Sequence, residues 1–255
     1  MPKHFILDRD GPLLIVSINR PHVRNALHAE ACHELSRIWD DFQSDPDLWV
    51  AIVTGVGDKA FCSGHDLLDG FDEPMPPTGW AGMADRADIV KPLIAAVNGY
   101  CFGGGWEIAL CCDVVVADES AVFSFSEPRV GFAALGGGAD RLTARIPAPI
   151  AMGILLTGRR VNSGEAARWG LVNDVVPNGT CVERARTWAA EIMKCAPRAV
   201  QFTKEIAIRS IEGPGDHSSL IGRRRELARE LRRLEDTREG IKAFAEKRTP
   251  VWKNR

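Results

Sequence analysis

From Leu13 to Asn19 the chain is apolar and rich in β-branched residues, which predicts a buried strand. Arg20-Pro21 ends it, since proline has no N–H to give to a ladder. Between Ala26 and Phe42, Leu27, Cys32, Leu35, Ile38, Trp39 and Phe42 recur near the helical period, predicting a helix that stops at Ser44-Asp45-Pro46. Trp49 to Thr54 follows as a second strand. Two further apolar runs, Ile94 to Val97 and Val114 to Ala117, flank Gly104 to Cys111, so buried parallel strands joined through a helix are expected there. Between these units, Asp69 to Gly82 holds Pro74, Pro76, Pro77 and three glycines, the mark of a long irregular loop of the kind that lies over a site. Beyond about Cys181 the periodicity is helical only: Cys181 to Cys195, Pro197 to Ile211, and Leu220 to Lys247 with a break near Asp236. Pro197 suits the first turn of its helix, where its missing N–H costs nothing.

A chain of 255 residues suits one main core with an appendage, placed here at residues 1–195 and 196–255. With 45% hydrophobic and 26% charged residues there is no case for disorder. The formal charge of −2 supplies no global field toward nucleic acid or an anionic membrane, so an anionic ligand has to be held locally. No apolar stretch reaches the ~18 residues of a membrane span, and Met1 to Arg20 has no secretory pattern, so a cytoplasmic protein is expected. The seven cysteines form no CxxC pair and read as buried free thiols; adjacent Cys111 and Cys112 point to different faces and make a poor shared metal site. Arg223, Arg224, Arg225, Arg229, Arg232 and Arg233 invite a nucleic-acid reading. Interleaved Glu226 and Glu230, with an apolar stripe of Leu220, Leu227, Leu231 and Leu234, favour a solvated amphipathic helix instead.

Three segments carry candidate chemistry. In Asn98 to Glu107, Gly103, Gly104 and Gly105 open a helix directly after a buried strand, and N–H groups at a helix start, aided by the dipole, can receive an anion or a developing oxyanion. Close strand-to-helix packing is the plainer reading of the same glycines. A dinucleotide fingerprint fails at its third glycine, where Ile108 stands. Phe61 to Leu67 again follows a predicted strand and puts Gly64 before an expected helix start, offering a second donor in the backbone N–H of His65; its ring alone reads as structural. In Val122 to Phe132, Glu127 lies between Phe125 and Pro128, where partial desolvation raises a carboxyl pKa and suits acid/base work. A salt bridge to Arg129 or Arg141 is the competing reading. A second glycine triplet, Gly136 to Gly138, follows. Trp80 and Trp106 shape a pocket or pack, with packing favoured for Trp106. Neither GxSxG nor HExxH is present, which leaves the serine-hydrolase and zinc-protease readings without support.

Taken in order, Asn19-Arg20-Pro21 with Arg24 to Leu27, Ala60 to Asp66, Asn98-Gly99-Tyr100 with Gly103 to Glu107, Glu127 with Gly131, Thr157-Gly158, and Trp169 to Val172 resemble the crotonase, or enoyl-CoA hydratase/isomerase, superfamily over nearly the whole length. Ala243 to Arg248 followed by Pro250-Val251-Trp252 looks most like its carnitinyl-CoA dehydratase branch. The resemblance implies an α/β fold, a spiral of repeated ββα units with a C-terminal helical trimerisation region, assembled as a homotrimer or hexamer. It implies an acyl-CoA thioester as substrate and no prosthetic group or metal, with no nucleic-acid or membrane partner expected. Glu107 and Glu127 would be the acid/base pair, and the N–H groups of His65 and Gly104 the hole for the thioester oxygen. Coenzyme contacts would fall at Arg24, Ala26, Ser63, Asp66 and Leu67, with Phe244 and Lys247 lent by a neighbouring subunit. Two glutamates imply an enoyl-CoA hydratase or dehydratase; enoyl-CoA isomerase, acyl-CoA hydrolase and a non-catalytic RNA- or protein-binding member are the alternatives. Ser126, Ala134-Leu135 and Leu68 depart from residues common in the family, the last replacing a frequent lysine, so phosphate binding would rest on other groups.

Overall fold

β1 (Phe5–Asp10) and β2 (Leu13–Ile18) form an antiparallel hairpin that pairs Phe5 with Ile18 and Asp10 with Leu13. The apolar-run reading finds only β2, because every residue of β1 after Phe5 is exposed. The computed structural model describes residues 2–68, 73–212 and 217–255, so part of the expected 69–82 loop lies outside the described residues. After β2 come α1 (Ala29–Ser44), β3 (Val50–Gly55), β4 (Ala60–Cys62), β5 (Leu93–Val97), β6 (Tyr100–Phe102), α2 (Gly104–Cys111), β7 (Val114–Asp118) and β8 (Val122–Ser124). Then follow α3 (Gly138–Arg145), α4 (Ala148–Thr157), β9 (Val161–Asn162), α5 (Ser163–Arg168), β10 (Asp174–Val176), α6 (Cys181–Met193), α7 (Pro197–Glu212), α8 (His217–Leu231) and α9 (Glu235–Glu246).

The strands alternate between two sheets. β3, β5 and β7 join the larger sheet, ordered β1-β2-β3-β5-β7-β10, while their partners β4, β6 and β8 join a smaller one, ordered β4-β6-β8-β9. Each turn of chain thus adds one strand to each sheet, which is the expected spiral. β2, β3, β5 and β7 are parallel neighbours covered on both faces, which is why they read as continuous apolar runs. Alternate side chains divide two cores: Leu13, Ile15, Val50, Ile52 and Ile94 pack under α6, while Leu14, Val16, Ala51, Val53 and Ala95 face α1 and α2. α2 sits so close to β4 that a Cβ on Gly105 would lie 2.0 Å from the Cys62 carbonyl oxygen. Packing therefore explains Gly105.

Two local expectations change. The helix expected from Ala26 begins at Ala29, and Leu27 instead makes a parallel β-bridge with His65. His28 takes the cap, its Nδ1 accepting from the N–H of Ala31 at 3.1 Å. The helix expected after Gly64 does not form within the described residues 65–68, which hold that bridge and a turn. All seven cysteines are unpaired, with Cys195 alone exposed. In α8, Leu227 is buried while Arg223 pairs with Glu205 of α7, and Arg198 of α7 pairs with Glu230, so these charges bind helix to helix. No described helix is long and apolar enough to cross a membrane.

Candidate active site

Glu107 is the fourth residue of α2, a helix that follows β6 after Gly103 alone, and only 4% of it is exposed. Its carboxylate reaches the second glycine triplet, where the Gly138 N–H donates to Oε1 at 3.0 Å. A Cβ at Gly136 would lie 2.3 Å from Oε2, so this carboxylate can occupy its place only because residue 136 has no side chain. Burial pushes the Glu107 carboxyl up to about 7; backbone donation from Gly138 and Gly136 and the charge of Arg141 act against that rise, and the Glu127 charge adds to it.

Glu127 begins a 3-10 turn, Glu127–Val130, just after β8. Desolvation raises its pKa too, and its Oε2 is buried with no hydrogen-bond partner. The salt-bridge alternative is not realised: Arg129 donates to the Thr157 carbonyl at 2.9 Å and Arg141 to that of Ala84 at 2.8 Å. A buried carboxyl oxygen without a donor favours the protonated form, or a ligand that supplies the missing contact. Both glutamates line one cavity of about 210 Å3, together with Ser63, Gly64, His65, Leu67 and Gly104.

The segment carrying His65 is tied down on its far side by the Arg24 to Leu27 loop. The Leu27 N–H donates to the Gly64 carbonyl at 2.9 Å, Asp66 N–H to the Leu27 carbonyl at 2.8 Å, and Ser63 N–H to the Arg24 carbonyl at 3.1 Å. Asn25 anchors that loop through its side-chain bonds to Arg20, Val56 and Ala60. Gly104 is the first residue of α2, so its N–H has no acceptor within the helix. Gly64, at φ +96°, approaches it closely: a Cβ there would lie 3.2 Å from the Gly104 nitrogen. The two segments expected to supply N–H donors are thus neighbours, and both line the cavity that the two carboxyls also line.

The other expected contacts are more dispersed. Arg24 is exposed, with its guanidinium over the Tyr100 ring at 5.9 Å. Ala26 is buried and its carbonyl accepts from Arg20. The Asp66 carboxylate turns inward to Arg20 at 3.1 Å and is not among the cavity-lining groups. Phe244, 88% exposed, and Lys247 at the end of α9 also stand outside the lining. Sequence reasoning gave no role to the apolar wall of Val130, Phe132 and Leu135, nor to the N–H donors of the second glycine triplet. Large apolar residues between Glu127 and the second glycine triplet were the available signal. Trp106 is packing, stacked on Phe125 at 4.7 Å, whereas Trp80 lines the cavity.

The raised pKa of Glu107 has a stability consequence. A carboxyl that titrates near 7 when folded and near 4.5 otherwise binds its proton more tightly in the native state, so its favourable contribution is complete below pH 4.5 and is lost as pH rises through about 7. That interval corresponds to about 3 kcal/mol at most. Glu107→Gln removes the titration. Urea unfolding at pH 5 and pH 8 should therefore show the variant gaining on the wild type at the higher pH; equal differences at both would refute the burial effect.

Residues 8–255 match the enoyl-CoA hydratase/isomerase family model. The carnitinyl-CoA dehydratase of Salmonella typhi is 39% identical over 262 residues, covering 100% of both chains, and that of Citrobacter koseri is 40% identical over 97% of each. Among solved structures, the enoyl-CoA hydratase of Mycobacterium tuberculosis superposes with a TM-score of 0.91 at 35% identity, covering 98% of this chain and 99% of that one. An enoyl-CoA hydratase of Mycobacterium marinum gives 0.93 at 34% identity over 100% of both. A family match across almost the whole chain, together with the spiral of paired strands, shows that the chain belongs to the enoyl-CoA hydratase/isomerase family.

Proposed function

We propose that this chain is a hydro-lyase that adds water reversibly to an α,β-unsaturated acyl-CoA thioester, with Glu107 and Glu127 as acid and base and the N–H groups of His65 and Gly104 as the oxyanion hole. The observation that carries this reading is the convergence of two carboxyls, both with raised pKa, on one cavity bordered by Gly104 and His65. Water attacks Cβ as one carboxylate takes its proton. The electron pair of the double bond moves onto the thioester oxygen, where two N–H dipoles stabilise it, and the other carboxyl then delivers its proton to Cα. The roles exchange in dehydration. Burial raises both carboxyls and the Glu127 charge adds to the rise at Glu107, which favours one protonated and one ionised carboxyl, as the chemistry needs. No prosthetic group is required.

The named relatives and their structures support the same reaction class. For the coenzyme arm, Ser63 and Leu67 line the cavity and the Ser63 N–H is bonded to the carbonyl of the exposed Arg24, which supports a route between them; Ala26 is buried beside it, and at Asp66 the side chain is engaged by Arg20, leaving the backbone for any contact. Exposed Ile211, Ile241 and Phe244 suit residues 196–255 to a homotrimer or hexamer in which Phe244 and Lys247 serve a neighbour's coenzyme. A cytoplasmic location fits a coenzyme A substrate. The test is turnover of short, long and branched enoyl-CoA thioesters, and of the enoyl-CoA that dehydration of carnitinyl-CoA yields, following loss of the conjugated absorbance and the product mass. Gain of one water is expected. An isomeric product, a released acid or no consumption of any of them would overturn the hydratase reading.

A further inference from the structure

Trp80 touches three separate parts of the site. Its indole Nε1 donates to the Gly104 carbonyl at 2.8 Å. The edge of the ring fills the space a side chain at Gly104 would need, with ring atoms 2.3–2.5 Å from where that Cβ would be. Its ring is 5.6 Å from that of His65, tilted by 43°, and its own Cβ blocks the Cβ position of Gly136, beside the Glu107 carboxylate. One side chain therefore borders both N–H-bearing residues and the loop that holds Glu107.

The turn that carries it is fixed from behind. Ala81 is buried at φ +54°, a left-handed conformation that is strained for an L-residue with a side chain. Its carbonyl accepts from Trp39 Nε1 of α1 at 3.2 Å, and Ser36 Oγ meets Thr78 Oγ1 at 2.8 Å. Gly82 passes so near α1 that a Cβ would lie 2.4 Å from the Ser36 Cα. A strained turn held by three contacts with the first helix makes Trp80 a rigid wall.

We propose, resting on the hydratase reading above, that Trp80 is both a positioning residue for the Gly104 donor and the wall that limits the size of the acyl group. Its N–H anchors the first turn of α2, and its ring occupies the volume next to the carbons on which the two carboxyls act. The acyl substrate class is accordingly short and unbranched near the thioester.

Two variants separate the roles. Trp80→Phe keeps a ring and removes the donor: kcat on crotonyl-CoA should fall about 3- to 10-fold with little change in KM. Trp80→Ala opens the wall: the ratio of kcat/KM for 2-octenoyl-CoA to that for crotonyl-CoA should rise about 10-fold or more. A readout independent of turnover is the carbonyl stretch of carbonyl-13C butyryl-CoA, which moves to lower frequency when N–H donors polarise the thioester. The wild type should show this shift and Trp80→Phe a smaller one. Wild-type shift, kcat and chain-length ratio in both variants would overturn the Trp80 inference alone. So would a loss shared equally by both thioesters, with lowered thermal stability and an unchanged carbonyl shift, since that marks a packing role. A wild type that neither hydrates crotonyl-CoA nor shifts the carbonyl would overturn the site reading and this inference with it.

Discussion

Glu107→Gln and Glu127→Gln are each expected to lower kcat for crotonyl-CoA hydration by about 100- to 10,000-fold, the range by which positioned acids and bases accelerate proton transfer. Glutamine preserves the shape of either side chain and can still accept from the Gly138 N–H at position 107, so the cavity should persist. What disappears is the proton. Because water cannot lose its proton and Cα cannot gain one without both carboxyls, the two losses should not add: the double variant should be little slower than the worse single one. Steady-state rates of the four proteins decide this, with thermal melting to confirm folding. Near-wild-type turnover by either single variant would remove that glutamate from the reaction. The pH profile gives a second check, since a carboxyl held near 7 by burial should impose a limb close to neutrality that Glu107→Gln abolishes.

The parts of this site that were legible in the sequence are those whose chemistry is carried by a side chain or by a glycine run. Glu127 stood out as an acid beside apolar residues and Gly104 as the start of a helix after a buried strand, while Glu107 was reached only through the family resemblance; the structure brings all three to one cavity with Ser63, His65 and Leu67. The parallel strands β3, β5 and β7 were legible because burial on both faces leaves unbroken apolar runs. β4, β6 and β8 were not, being three residues each, too short to display a period. The loss of residues 26–28 from α1 had no local signal either, because a β-bridge between Leu27 and His65 is a contact across 38 positions of chain. The same is true of Glu107 and Gly138, whose hydrogen bond spans 31 positions. Backbone donors leave no trace in side-chain chemistry, and the residues that hold a catalytic group from a distance are the ones a linear reading passes over.

That hidden layer carries the second large expected effect: Gly136→Ala should lower kcat by about 100-fold with both glutamates chemically intact, the order of loss that misplacing a reacting group by an ångström can cause. The added methyl would sit 2.3 Å from Glu107 Oε2 and 2.9 Å from the Cβ of Trp80, so it cannot be accommodated unless the carboxylate, the indole or the loop moves. Glu107 is the element free to swing, since its carboxylate is held by backbone donation from Gly138 and from the altered residue 136 itself, whereas Trp80 is fixed by a turn packed on α1. Swinging away breaks the Gly138 contact and carries the carboxyl off the cavity. The overall fold should tolerate the change, because residue 136 lies in the connection before α3. Gly153→Ala is the control: it lies within α4 with nothing inside 4 Å of the new methyl, and a glycine-to-alanine change in a helix is neutral or stabilising by up to about 1 kcal/mol. Rates and melting curves for the pair separate geometry from generic cost. If Gly136→Ala and Gly153→Ala both turn over as the wild type does, Glu107 is not held where the reaction needs it by the absence of that side chain.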